Sequence, residues 1–213
     1  MDVSVTGSVP VETSWRLFVA ITLPEDLRAV LGRLQERWKR SRADVRWVRP
    51  SHFHLTLAFL GDVPTDRVPA IVEAIESVAA GAEPFEMRVH GWGYFGRDAR
   101  PRVLWTGVDA SPALCALHER MLTSLSALGF QFEERPAVFH ITLGRVRSSK
   151  GLDALTLAMA STKNDDVTWG IVRVDRLDLM RSELRPQGPV YTVVHSAELG
   201  SSDHGEEREK WRG

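Results

Sequence analysis

The chain has 213 residues, 43% of them hydrophobic and 26% charged, which suits one large globular domain or two small packed lobes. Those values exclude a disordered, collagen-like or low-complexity chain. Lysine plus arginine number 27 against 28 acidic residues, a net charge of −1, which argues against a general polycationic nucleic-acid binder.

No apolar run approaches the ~20 residues of a membrane helix. The opening MDVSVTGSVPVETS lacks the basic start and apolar stretch of a signal peptide. A single cysteine, Cys115, leaves neither an internal disulfide nor a multi-cysteine zinc site. The expected setting is cytoplasmic, with no membrane association.

Residues 1–14 read as a flexible arm, 15–199 as the folded domain and 200–213 as a polar, frayed tail. Trp15 to Thr22 is an apolar run suited to a buried strand. Pro24 opens a helix with Glu25 and Asp26 near its positive end, and Leu27, Val30, Leu31, Leu34 and Trp38 recur at helical spacing. Val45–Val48 and the alternating His52–Leu60 are predicted strands, followed by a helix after Pro64 striped by Val68, Ile71, Val72, Ile75 and Val78. Phe85–Val89 and Val103–Val108 read as strands separated by a Gly- and Arg-rich loop. Ser111-Pro112 starts a helix that Gly129 ends. Val138–Leu143, one or two strands within Val167–Met180, and Val190–Val194 complete the sheet, with a short helix over Gly151–Ala160. Mixed strands and helices without a strict βαβ repeat predict an α+β fold.

A strand, a helix and then His-x-Thr occur twice. Phe18 precedes His54-Leu55-Thr56-Leu57 by 36 residues, and Leu104 precedes His140-Ile141-Thr142-Leu143 by the same 36, so both elements are displaced by 86. A duplication leaves such a pattern. It predicts two pseudo-symmetric lobes, each a mainly antiparallel sheet with helices on its outer face and a cleft between them.

Strand alternation puts His54 and Thr56 on one face, opposite Phe53, Leu55 and Leu57; His140 and Thr142 likewise oppose Phe139, Ile141 and Leu143. Two imidazoles meeting across a cleft suit phosphodiester chemistry. One, neutral, takes a proton from attacking water; the other, charged, protonates the leaving ribose oxygen. The threonine hydroxyls can donate to the non-bridging oxygens as charge builds there. Because the leaving oxygen is protonated directly, this chemistry needs no metal. Seven histidines and twelve threonines would yield about 0.4 His-x-Thr matches by chance, so the matched pair carries the signal and neither copy alone does. The competing readings are two strand histidines satisfied by backbone carbonyls and, more weakly, a zinc site short of a third ligand.

In these flanks the sequence resembles the two-histidine phosphoesterases, and among them the RNA 2′,3′-cyclic phosphodiesterases, also called 2′-5′ RNA ligases. RLFVAITLP, FHLTLAFLGDV, FHITLGRV and RSELRPQGPVYTVV carry the resemblance, which spans about Trp15 to Leu199. It implies a two-lobed fold, hydrolysis of RNA 2′,3′-cyclic phosphate ends to 2′-phosphomonoesters, a reversible 2′-5′ joining reaction, and no cofactor. It also implies His54 as proton donor and His140 as proton acceptor, an order that the residues themselves leave open. The expected partners are RNA ends bearing cyclic phosphates, tRNA fragments among them, with the enzyme acting as a monomer. The family usually has proline where Phe139 stands here. Arg145 matches an arginine common after the second motif, yet simple alternation puts it on the face away from His140; a phosphate contact requires a strand end or a bulge at Gly144.

Arg46 and Arg49 belong to a basic stretch, Arg33 to Arg49, with seven cations against two acids. Together with Arg97 and Arg102 they are candidate phosphate contacts. Tyr94, Trp47 and Trp92 are candidate platforms for a stacked base. His52 reads as an exposed strand-end residue, Ser182 as structural and Cys115 as a small buried side chain. Two alternatives remain open: a related enzyme of small cyclic nucleotides, or a binding module without catalysis.

Overall fold

The computed structural model describes residues 13–97, 100–133, 136–162, 167–186 and 188–200. Within them nine strands form one sheet, antiparallel at every pairing. In chain order the elements are β1 (Ser14–Thr22), α1 (Glu25–Lys39), β2 (Val45–Trp47), β3 (His54–Pro64), α2 (Val68–Ala80), β4 (Phe85–Arg97), β5 (Arg100–Val108), α3 (Pro112–Ala127), β6 (His140–Val146), α4 (Leu152–Ala160), β7 (Thr168–Val174), β8 (Arg176–Arg185) and β9 (Gly188–Glu198). The strand order is β7-β4-β5-β6-β3-β1-β8-β9, with β2 added alongside β6.

That order is a palindrome about its centre. Moving outward from the β3/β6 seam, β1 matches β5, β8 matches β4 and β9 matches β7. The register refines the repeat: Thr22 faces His54 while Gly107 faces His140. The His-x-Thr strands are therefore 86 residues apart, but their neighbours β1 and β5 align at 85.

The helices lie on one side, over a core that includes Leu17, Leu31, Leu55, Leu104, Leu117, Ile141 and Leu143. Two of them do not stay with the half that precedes them. After β1, α1 packs on the other half: Leu27 lies against Gly170 of β7, and Trp38 meets Trp92 of β4 edge-on at 5.9 Å. After β5, α3 returns the exchange, packing on α2 and β3. Among the described residues no helix is long and apolar enough to cross a membrane.

Two local expectations change. The predicted Gly- and Arg-rich loop is instead the far end of the β4–β5 hairpin, paired as far as Arg97 and Arg100. Its glycines permit this, because a Cβ on Gly93 would collide with the Trp105 indole that lies across it. Cys115 is exposed rather than buried, since it falls beside the Leu114, Leu117, Met121 and Leu125 stripe of α3. Strand β1 begins at Ser14, and the predicted arm and tail fall almost wholly outside the described residues.

Candidate active site

The two His-x-Thr strands meet at the centre of the sheet, where β3 pairs with β6 at Leu55 and Ile141. Antiparallel counting from that pair sets His54 opposite Thr142 and Thr56 opposite His140. Side chains so placed stand about 5 Å apart at Cβ. Leu55, Leu57, Ile141 and Leu143 are buried on the helix side, which leaves the four polar residues together on the open face.

Both rings are held the same way. His54 Nδ1–H donates to the carbonyl of His52 at 2.7 Å, and His140 Nδ1–H donates to that of Val138 at 2.7 Å. The carbonyls are themselves 86 residues apart. Each bond fixes a neutral tautomer whose Nε2 is an acceptor free for chemistry. Burial lowers both pKa values below the ordinary 6.5, and the carbonyl bonds pull them partly back. Neighbouring charges lower them further, His52 and His140 acting on His54, and Arg145 on His140. Aromatic rings supply the burial. Phe18 and Tyr191 pack on His54 at 4.9 and 5.4 Å, and Phe95 stands edge-on to His140 at 4.8 Å.

Arg145 reaches the same face because β6 is bulged. Leu104 faces Gly144 and Trp105 faces Thr142, so Leu143 is an extra residue between them. Leu143 and Gly144 are both buried, and Arg145 turns outward. The bulge lies one residue from where phosphate contact required it. Glycine is needed beside it, since a Cβ at 144 would come within 2.7 Å of Val45 and 2.9 Å of Trp47. Strand β3 repeats the device: Leu57 and Ala58 are both buried and Phe59 turns outward, half exposed.

A cavity of about 550 Å³ opens beside His54 and Thr56. Arg46, Arg49, Arg145, Arg147 and Arg16 line it, together with Trp47, His52, Phe59, Ser182 and Tyr191, and no described acidic side chain does. Arg16 covers the Phe59 ring at 4.7 Å. Tyr191 lies in the RSELRPQGPVYTVV stretch, which does not by itself say which of its side chains faces the cleft. Burial raises the pKa of its phenol, while Arg145 and Arg46 pull it down.

The remaining candidates divide. His140 and Thr142 stand outside that lining, across the seam beneath Phe95 and Trp105. Tyr94 does not join them. It is paired with the buried Leu104, which puts it on the helix side, and its neighbour Phe95 holds the cleft position. Trp92 packs in the core and donates to Thr162 O at 3.1 Å. Arg97 and Arg102 are exposed along the β4–β5 hairpin, away from the cavity. Among the described residues no three His, Cys, Asp or Glu side chains cluster as a metal centre would require.

Known proteins are similar to this chain in sequence and fold. The family model described as "LigT like Phosphoesterase" matches two stretches, 21–105 and 108–191, each containing one of the His-x-Thr strands. An RNA 2′,3′-cyclic phosphodiesterase of Methanothermobacter thermautotrophicus is 36% identical over 83% of this chain and 95% of its own length. One from Thermotoga maritima is 33% identical over 86% and 95%. Among solved structures, TT0787 of Thermus thermophilus superposes with a TM-score of 0.73 at 30% identity, over 88% of this chain and 99% of that one. Escherichia coli LigT complexed with 3′-AMP has the same fold, with a TM-score of 0.68 at 24% identity over 87% and 98%. With two matching stretches that together span most of the chain and relatives aligned along nearly their whole length, this chain belongs to the LigT-like phosphoesterase family.

Proposed function

We propose that the protein hydrolyses RNA 2′,3′-cyclic phosphate ends by paired-histidine acid–base catalysis. The observation that carries this reading is the matched pair of imidazoles. Both are fixed by Nδ1–carbonyl bonds with Nε2 free, beside a cavity lined by arginine and by no described carboxylate.

Water attacks phosphorus as the bond from phosphorus to the ribose 3′ oxygen breaks. His140 Nε2 takes the proton from water, and His54 Nε2–H delivers one to the departing oxygen, leaving a 2′-phosphomonoester and a 3′-hydroxyl. Arg145 favours neutral His140, which suits the base. His54 must be protonated to act as acid, and the phosphate's own negative charge favours that once substrate is bound. Thr56 and Thr142 donate to the non-bridging oxygens, while Arg145 and Arg46 offset the charge that develops there. By microscopic reversibility, a 5′-hydroxyl in place of water forms a 2′-5′ linkage, and in water hydrolysis prevails.

Five cavity arginines exceed what one phosphate needs, and exposed Phe59 offers a face for a base. Both favour an RNA end over a cyclic mononucleotide. Ends of cleaved tRNA are within this class. Both halves of the cleft come from one chain, so a monomer suffices.

An oligonucleotide ending in 2′,3′-cyclic phosphate, incubated with the protein in a metal chelator, tests the reading. The expected product is the 2′-phosphate, formed faster than from a cyclic mononucleotide. No turnover, or turnover that survives His54→Ala and His140→Ala, would overturn it.

A further inference from the structure

Beneath the arginines, on the helix side of the sheet, lies a polar side chain that the proposed reaction never touches. Gln35 of α1 is fully buried, among the apolar Leu27, Leu31, Leu34 and Trp38. Its amide nitrogen donates to the carbonyl of Val48 at 2.7 Å and to that of Leu143 at 2.8 Å. Its Oε1 has no partner among the described residues. A stranded amide oxygen in an apolar layer is a penalty that leucine or methionine would avoid. What the residue supplies is therefore the pair of donated bonds.

Both acceptors sit at turning points of the cleft. Leu143 is the extra residue of the β6 bulge, two positions before Arg145. Val48 follows β2, between Arg46 and Arg49, and its own N–H also donates to Leu143 O at 3.0 Å. The other half has a counterpart: His118 of α3 lies by the carbonyl of Leu57, which draws its pKa up against the lowering effect of burial; Leu57 is the β3 residue that stands where Leu143 stands in β6. Each bulge thus has a polar side chain of the crossing helix beneath it, and in β6 two hydrogen bonds of 2.7 and 2.8 Å make the tie.

We infer that Gln35 is a positioning residue, clamping the carbonyls of Leu143 and Val48 so that Arg145 and Arg46 stand side by side over the cleft. It meets no substrate and acts only through the two arginines. The kinetic part of its test rests on the phosphodiesterase reading; phosphate binding and histidine titration do not.

Gln35→Met keeps volume and removes both donors. The test compares it with Arg145→Met, with the double variant, and with Leu31→Ala, which opens the same helix stripe away from the bulge. The readouts are binding of inorganic phosphate, KM and kcat on the cyclic-ended oligonucleotide, and imidazole titrations followed by NMR. His140 is surrounded by Phe95, Trp105, the Val138 carbonyl, His54 across the seam and Arg145 beside it, so displacing Arg145 moves its titration upward. Gln35→Met should weaken phosphate binding about tenfold, as misplacing a binding group does. It should raise KM more than it lowers kcat and shift His140, while in the Arg145→Met background its effect falls well short of additive, only the part carried by Arg46 remaining. Leu31→Ala should lower Tm and change none of these. Equal phosphate affinity and an unmoved His140 in Gln35→Met, or effects additive with Arg145→Met, would overturn the assignment. If Gln35→Met does not fold, Gln35→Asn, one methylene too short to reach both carbonyls, is measured against the same outcomes. Absence of turnover in every protein, with phosphate binding and titration still responding as expected, would sink the phosphodiesterase reading and leave the clamp standing.

Discussion

Arg46 and Arg145 are direct cross-strand partners, facing each other in the pairing of β2 with β6. Like charges so placed destabilise a sheet by roughly 0.2–1 kcal/mol, and a bound anion would reverse the sign. In phosphate-free buffer Arg145→Met should therefore be as stable as the parent or a few tenths of a kcal/mol more stable. Saturating phosphate should raise the parent's Tm and leave the variant's nearly unmoved. Thermal melts with and without phosphate check this, and an equal phosphate shift in both proteins would contradict it.

Removing either imidazole should cost turnover rather than affinity. His54→Ala and His140→Ala are each expected to lower kcat by ~10²–10⁴-fold, with affinity for a 2′-phosphorylated oligonucleotide changed far less. Single-turnover rates beside equilibrium binding of that product separate the two effects.

The pH dependence follows from the direction of the histidine shifts. In the free protein both imidazoles titrate below 6.5, yet the proposed reaction needs His140 neutral and His54 charged. The bell for kcat/KM should accordingly peak on the acid side of 6.5. Bound phosphate favours the charged imidazoles, so the kcat bell should lie at higher pH. Coincident bells would show that the bound anion does not act on the histidines.

The same shifts bear on stability. An imidazole that titrates lower when folded than when unfolded makes the unfolded chain bind more protons. Stability is then full above pH 6.5 and declines as pH falls from there toward the folded-state values. Urea unfolding at pH 7.5 and pH 5.5 should show this decline, and His54→Asn with His140→Asn should reduce it, the remainder coming from His52 and His118, whose pKa values burial also lowers.

Phe95, not Tyr94, is the aromatic at His140. Phe95→Ala should expose the ring to water and move its titration up toward 6.5, while Tyr94→Ala should leave it in place. An NMR titration of His140 in the two variants distinguishes them.

Much of the site was legible because strand alternation is a local property. His54, Thr56, His140 and Thr142 share a face by parity alone, and the repeat in their spacing foretold the two halves. The bulges were not legible, since an extra residue exists only relative to a partner strand that the sequence does not name. That is why Arg145 could be placed only conditionally and Phe59 went unmarked. Tyr94 misled for the related reason that adjacent residues point apart, and only the β4–β5 register says which one faces the cleft. Glycines at 93 and 96 read as loop because the indole that covers one of them comes from another strand. Gln35 did leave a trace, a polar residue among Leu31, Leu34 and Trp38, but a trace without a partner has no meaning until Leu143 and Val48 are beside it.

The crossing of α1 and α3 makes the halves mutually dependent. Cut between α2 and β4, either fragment would carry a long helix with its apolar stripe bare, while its own strands lacked the cover that the other fragment holds. Such pieces should aggregate when made separately and recombine when made together. A half-length ancestor built on this plan would have folded only as an intertwined pair of identical chains, its catalytic cleft already shared between two copies before gene fusion joined them.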